Sequence, residues 1–173
     1  MDDIKERFRQ YQEAIETSNI VSKTDTNGTI TFVNDEFCKM SGFSREELIG
    51  ANHNIVRHPE VPKEVFARLW DTILAKKVHK GTIRNRTKDG RDVYLNTTII
   101  PILDLSGQIE EFLAIRYDVT DVINLNNELE NTKKELLNLN ENLENRVAKQ
   151  TAKLVNLNQN LENLVKAEIK KNE

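Results

Sequence analysis

The sequence is short of the residues that staple a chain or carry it across a membrane. It contains one cysteine, Cys38, and no apolar run approaches the roughly 20 residues needed to span a bilayer. A single cysteine excludes an intrachain disulfide and any multi-cysteine metal site, which leaves Cys38 as a small apolar residue on a short helix. The N-terminus, Met1-Asp2-Asp3-Ile4-Lys5-Glu6, lacks the charged-then-apolar order of a signal peptide, so a cytoplasmic chain without direct membrane insertion is expected. Neither sign of charge dominates. With 25 basic and 28 acidic side chains the net charge is -3, and their interspersion leaves no basic face for nucleic acid. A phosphate-binding glycine loop and a nucleophile with a base beside it are both missing, so no enzyme is expected.

What is present falls into two unlike regions. Up to Asp121 aromatics, glycines and prolines are scattered in a globular pattern; after it none occurs. Residues 1–17 set Ile4, Phe8, Tyr11 and Ile15 at helical spacing, which predicts an amphipathic cap helix in need of a surface to cover. Residues 18–120 read as one domain. A short strand with Ile20 and Val21, the turn Thr26-Asn27-Gly28 and a second strand from Thr29 to Val33 form a hairpin signal. Asn34-Asp35-Glu36 opens a short helix that stops at Gly42, and Ser44-Arg45-Glu46-Glu47 has the spacing of a capping box for another. Pro62 suits the first turn of a longer helix to about Lys77, with Phe66, Leu69, Trp70 and Ile73 on one side.

From Lys80 the hydrophobic period changes to two. Strands run to Thr87, from Asp92 to about Leu103, and from Gln108 to Asp118, separated by the turns Lys88-Asp89-Gly90-Arg91 and Asp104-Leu105-Ser106-Gly107. The fold class is therefore α+β, a five-stranded antiparallel sheet with short helices on one face. In the last strand Phe112, Ala114 and Arg116 share one face, and Leu113, Ile115 and Tyr117 the other. Both are largely apolar, so both sides of the sheet should be covered: one by the short helices and a pocket, the other by the N-terminal helix or a second subunit.

Residues 121–173 predict a long helix. Val122, Leu125, Leu129, Thr132, Leu136, Leu139 and Leu143 alternate spacings of three and four, and the pattern resumes at Val147 after a four-residue step. This is a coiled coil with a stutter, whose stripe needs a partner helix; a parallel homodimer arm of about 60 Å is expected. The helix contains no histidine to accept a phosphoryl group. Its output should go to a chemoreceptor-type or kinase-type partner, whether the chain is a stand-alone sensor or part of a longer receptor.

Between the two short helices and the longer one lies His53-Asn54-Ile55-Val56-Arg57-His58-Pro59-Glu60-Val61-Pro62, rich in imidazole and guanidinium and interrupted by prolines. It reads as a pocket wall. With Phe32-Val33-Asn34, Phe66, Trp70, Arg84-Asn85-Arg86 and the closing Asp118-Val119-Thr120, it resembles the PAS domains of the aerotaxis and energy-taxis receptor type (Aer/CetB-like), which hold FAD. The resemblance implies a PAS fold, a non-covalently bound FAD, and redox or oxygen sensing by a homodimer joined through the coiled coil and the N-terminal helix. It implies a cofactor site at Asn34, His53, Arg57, His58, Phe66, Trp70, Asn85 and Arg116. Arg57 and His58 would neutralise the FAD diphosphate, and His53 would lie nearer the ring.

The residues have plainer readings beside these. Asn85 offers a donor and an acceptor without charge, suited to a flavin's polar edge, or it is a strand asparagine bonded to backbone. Asn34 also fits the N-cap of the following helix. Phe66 and Trp70, four apart, line a ring or are simply core. Arg116 either stabilises added negative charge beside the ring or pairs with Asp118. Light-sensing LOV domains resemble the chain at Gly50-Ala51-Asn52 but continue with a flavin-bonding cysteine, where this chain has His53, so adduct photochemistry should be absent. Two alternatives stay open: a haem-binding PAS sensor with His53 or His58 as axial ligand, and a cofactor-free PAS dimerisation module filled by its own side chains.

Overall fold

The structure, a computed structural model, describes residues 2–171 of the chain. It divides into two compact units, one up to Ile123 and one from Asn124. In the first, helix α1 (Asp2–Ser18) precedes strands β1 (Ile20–Thr24) and β2 (Ile30–Val33), the short helices α2 (Asp35–Ser41) and α3 (Arg45–Leu48), a 3-10 turn (His53–Val56) and helix α4 (Lys63–Leu74). Strands β3 (His79–Arg86), β4 (Asp92–Leu103) and β5 (Ile109–Asp118) follow, and helix α5 (Thr120–Lys171) starts at the end of the unit. The five strands form one antiparallel sheet in the order β2-β1-β5-β4-β3. The expected α+β architecture is present.

Local signals explain most boundaries. Ser44 and Glu47 exchange hydrogen bonds in the capping box that starts α3, and Asn34 caps α2 by accepting from the Phe37 N–H. The β1–β2 turn uses Gly28 at φ +82°, left-handed backbone that a side chain disfavours. The core lies between the inner face of the sheet and the short helices. One part is built on Phe37, Leu48 and Leu95, and a second on Leu69, Ile73, Ile99 and Phe112.

The expectation that both faces of the sheet would be covered is not met within one chain. Phe32, Leu113 and Ile115 on the outer face are half-buried and Tyr117 is exposed. The N-terminal helix leaves its stripe open, with Ile4 74% and Phe8 69% exposed. Among the described residues of this unit, the outer sheet face and the α1 stripe thus remain without a partner.

The Asp118-Val119-Thr120 segment continues the sheet into α5. The Val119 N–H donates to the Tyr94 carbonyl at 2.8 Å and the Tyr94 N–H donates to Thr120 Oγ1 at 2.9 Å. In the second unit the leucines at the expected heptad spacing, among them Leu136, Leu143 and Leu157, are exposed along the helix. No helix among the described residues is long and apolar enough to cross a membrane.

Candidate functional site

A cavity opens between the inner face of the sheet, the segment from Asn52 to Arg57, and α4. Its volume is about 130 Å³, below the roughly 300–1,000 Å³ typical of small-molecule sites. Leu69, Trp70 and Ile73 form one apolar wall and Ile83, Ile99 and Phe112 the facing one. Trp70 meets Phe112 edge to face at 5.7 Å between ring centroids and also covers the β1–β2 turn. A Cβ added at Gly28 would stand 3.1 Å from the Trp70 ring.

The polar end is built on Arg116. Strand alternation turns it inward with Phe112 and Ala114, and it is 4% exposed. Its Nη1 donates to Ser22 Oγ and its Nη2 to His53 Nε2, both at 2.9 Å, and the guanidinium lies 5.6 Å from the centre of the Phe37 ring. Among the described residues no carboxylate comes within ion-pair distance of it, so the pairing with Asp118 weighed above does not form. Burial lowers Arg116 to about 10. Because His53 Nε2 accepts from Arg116, the neutral imidazole carries its proton on Nδ1. Burial, and secondarily the Arg116 charge, push His53 down to about 3. A fixed cation thus faces the cavity, held only by neutral acceptors.

Asn85 and Arg57 are among the further polar residues that line the cavity. Asn85, on β3, bridges the backbone of Arg57 and lines the cavity with its side chain. The Arg57 guanidinium stacks over the Phe66 ring at 3.8 Å and has no carboxylate partner among them.

Of the eight residues singled out from the sequence, the structure brings His53, Arg57, Phe66, Trp70, Asn85 and Arg116 to this cavity. Asn34 and His58 lie elsewhere. The Asn34 side chain spends its full capacity on backbone: Oδ1 accepts from the Val21 and Phe37 N–H groups, and Nδ2 donates to the Glu16 and Asn19 carbonyls. His58 is fully buried behind the wall. Its Nδ1 accepts from the Glu60 N–H at 3.1 Å, and its Nε2 lies 2.9 Å from Asp92 Oδ1 and 2.7 Å from Arg86 Nη2. Arg84 also pairs with Asp92 and holds that carboxyl below its usual range. As placed, His58 reaches neither a diphosphate nor a haem iron in the cavity, and His53 turns Nε2 toward Arg116. Ser22 and Thr97, which also line the cavity, were missed; the signal for both is a small polar residue at an inward strand position.

Comparison with known proteins places this geometry. A family model described as the PAS fold matches residues 6–119. The chain is 35% identical over 113 residues to the aerotaxis receptor of Escherichia coli, an alignment covering 65% of this chain and 22% of the receptor. The chain therefore corresponds to about a fifth of that relative. Among solved structures, the PAS domain of a Colwellia psychrerythraea protein superposes with a TM-score of 0.61 at 23% identity, covering 66% of this chain and 98% of that one. A light-oxygen-voltage domain studied with a flavin analogue gives 0.60 at 18% identity, covering 71% and 93%. With the family match over most of the globular unit and the fold repeated in both structures, the chain belongs to the PAS family, as a sensor domain followed by a long C-terminal helix.

Proposed function

We propose that this chain is a cytoplasmic redox or oxygen sensor that holds FAD non-covalently in the cavity and signals, as a homodimer, to a chemoreceptor-type or kinase-type partner. The observation that carries the reading is Arg116, a buried cation with only neutral acceptors, on the wall of an otherwise largely apolar cavity. Such a cation is costly to bury and favours an occupant that is, or becomes, anionic beside it. The donor set fits a flavin. The apolar walls would flank a planar ring, and the Asn85 amide would offer both a donor and an acceptor to a polar edge. Arg57, free at the rim, supplies a cation for a diphosphate. When bound, FAD supplies a ring whose charge and protonation change on reduction.

The residues of the chain do the rest. His53, neutral, fixes the direction of Arg116 without adding charge of its own. Arg116 sits on β5, the strand that leads through Asp118-Val119-Thr120 into α5, so a change in its pairing acts on the strand next to the output helix. The open stripes of α1 and α5 and the open face of the sheet are the surfaces that dimerisation would bury. The likeness to a protein named as an aerotaxis receptor supports the sensing role, and the shared fold with a light-oxygen-voltage domain studied with a flavin analogue is in keeping with the class of cofactor.

The absorption spectrum of the purified chain, before and after supplementation with FAD, in air and after chemical reduction, tests the reading. A flavin spectrum that bleaches reversibly, with FAD as the released nucleotide, is expected. A haem spectrum, or no chromophore after supplementation, overturns it. For the assembly, light scattering should give a dimer, and Leu136→Lys with Leu157→Lys a monomer; a wild-type monomer refutes the dimer.

A further inference from the structure

The four hydrogen bonds of Asn34 join three elements at one point. Its Nδ2 holds the Glu16 carbonyl of the last turn of α1 at 2.6 Å and the Asn19 carbonyl at 2.7 Å. Its Oδ1 holds the N–H groups of Val21 on β1, at 2.9 Å, and of Phe37 on α2, at 3.1 Å. The ring of the same Phe37 packs against two residues of the cavity's polar end, 5.7 Å from the His53 ring and 5.6 Å from the Arg116 guanidinium. Phe37 is completely buried, so it moves only with its neighbours. A continuous series of contacts therefore runs from the cavity cation, through Phe37 and the N-cap of α2, to the end of the N-terminal helix. α1 has little else to hold it, since its apolar stripe is exposed.

We infer that Asn34 is a positioning residue, the latch through which a change of charge at Arg116 reaches α1, giving the domain a second output beside the Asp118-Val119-Thr120 exit. The inference rests on the flavin reading for its input and on the geometry of Asn34 for its output. A shift of Arg116 toward a more negative occupant relieves or tightens its packing on Phe37. Phe37 carries the α2 N-cap with it, and the two carbonyls at the end of α1 follow, because one amide group holds all four partners.

The test is hydrogen exchange of the α1 amides in the full chain, with FAD bound, oxidised and then reduced. In the wild type, reduction is expected to change exchange in the last turns of α1 by about threefold or more, the scale of a local opening equilibrium. Asn34→Ser keeps an N-cap oxygen for α2 but lacks the donors to Glu16 and Asn19. It should retain flavin absorbance, exchange about tenfold faster in the last turn of α1, as expected for two lost hydrogen bonds, and show no response to reduction. Asn34→Asp, nearly isosteric, keeps the acceptor and turns the donor into an oxygen facing two carbonyls; it should behave alike. A wild type whose flavin reduces without any change in α1 overturns the latch. So do folded variants with wild-type α1 exchange, and variants that lose flavin while α1 stays protected. A wild type that never binds flavin overturns the functional reading instead, and the two failures are told apart by the spectrum.

Discussion

Replacing Arg116 by methionine separates what this residue does for the fold from what it does for a ligand. Burial lowers the guanidinium from 12.5 to about 10; at about 1.4 kcal/mol per pH unit that is roughly 3 kcal/mol against keeping the cation inside. Opposing it are two hydrogen bonds, to Ser22 and His53, each worth about 0.5–1.5 kcal/mol net. The packing on Phe37 adds about 0.5–1 kcal/mol. The two sides nearly cancel. Methionine has a similar stem and no charge, and the acceptors it leaves behind face a cavity that water can enter. In ligand-free protein, Arg116→Met should therefore unfold within about 1 kcal/mol of wild type, measured by urea denaturation followed through the fluorescence of Trp70, the only tryptophan. Its affinity for FAD should fall at least about 30-fold, the lower end of what losing one partner of a buried charge pair costs. A loss of 3 kcal/mol or more without ligand would make Arg116 a structural residue, and an unchanged FAD affinity would remove it from the site.

His53 predicts a pH dependence. Its folded value of about 3 lies below the ordinary 6.5, so between those values the unfolded chain binds a proton that the folded chain refuses. Stability from this group is complete above about pH 6.5 and is lost as pH falls toward 3, with a slope of at most about 1.4 kcal/mol per pH unit. His53→Gln should flatten denaturation midpoints across that window; an unaltered pH profile would refute the assignment. His58 and Arg57, adjacent in sequence, should part in behaviour. His58→Ala, which empties a fully buried site, removes one partner of Asp92 and leaves the Glu60 N–H without its acceptor, should lose about 1–3 kcal/mol of stability without ligand. Arg57→Ala should lose under about 1 kcal/mol while weakening FAD binding, and reversal of that order in thermal melts and flavin titrations would contradict their placement. Gly28→Ala adds a Cβ at φ +82° against Trp70 and should cost about 1–2 kcal/mol; a melting temperature equal to wild type would show that the turn relaxes.

Most of the fold was legible because its signals are local. The Asn-Gly turn, the capping box at Ser44 and the change of period at Lys80 each mark a boundary through backbone chemistry that acts within a few residues. The end of α4 was less legible. The helix stops at Leu74 rather than near Lys77 because Lys76 takes φ 60° and the N–H groups of Lys76 and Lys77 return to Ile73 and Thr72. That stop usually carries glycine, and nothing in a lysine announces it. The site was legible where strand parity governs it, as at Asn85 and Arg116. It failed at His58 because neighbours in extended backbone point to opposite sides: Arg57, at ψ 132°, faces the cavity and His58 the charged cluster behind it. Asn34 satisfied its alternative reading as a helix cap. The N-terminal helix could not be placed at all from its own pattern, since an apolar stripe states only that a partner is needed.

The segment from Gly50 to Arg57 has so far been a wall. It is also a clasp on both borders of the sheet. On the β2 side the Gly50 N–H donates to the Ile30 carbonyl, the Ile30 N–H to Ala51, and Asn52 bridges Thr29; on the β3 side Arg57 bridges Asn85. The rest of β3 carries Lys80, Arg84 and Arg86, charges that discourage a foreign strand. A bare border strand is a template for chain-to-chain addition, so this stretch also guards solubility. Lesions in it should show themselves first as aggregation during expression, before any loss of ligand is measured.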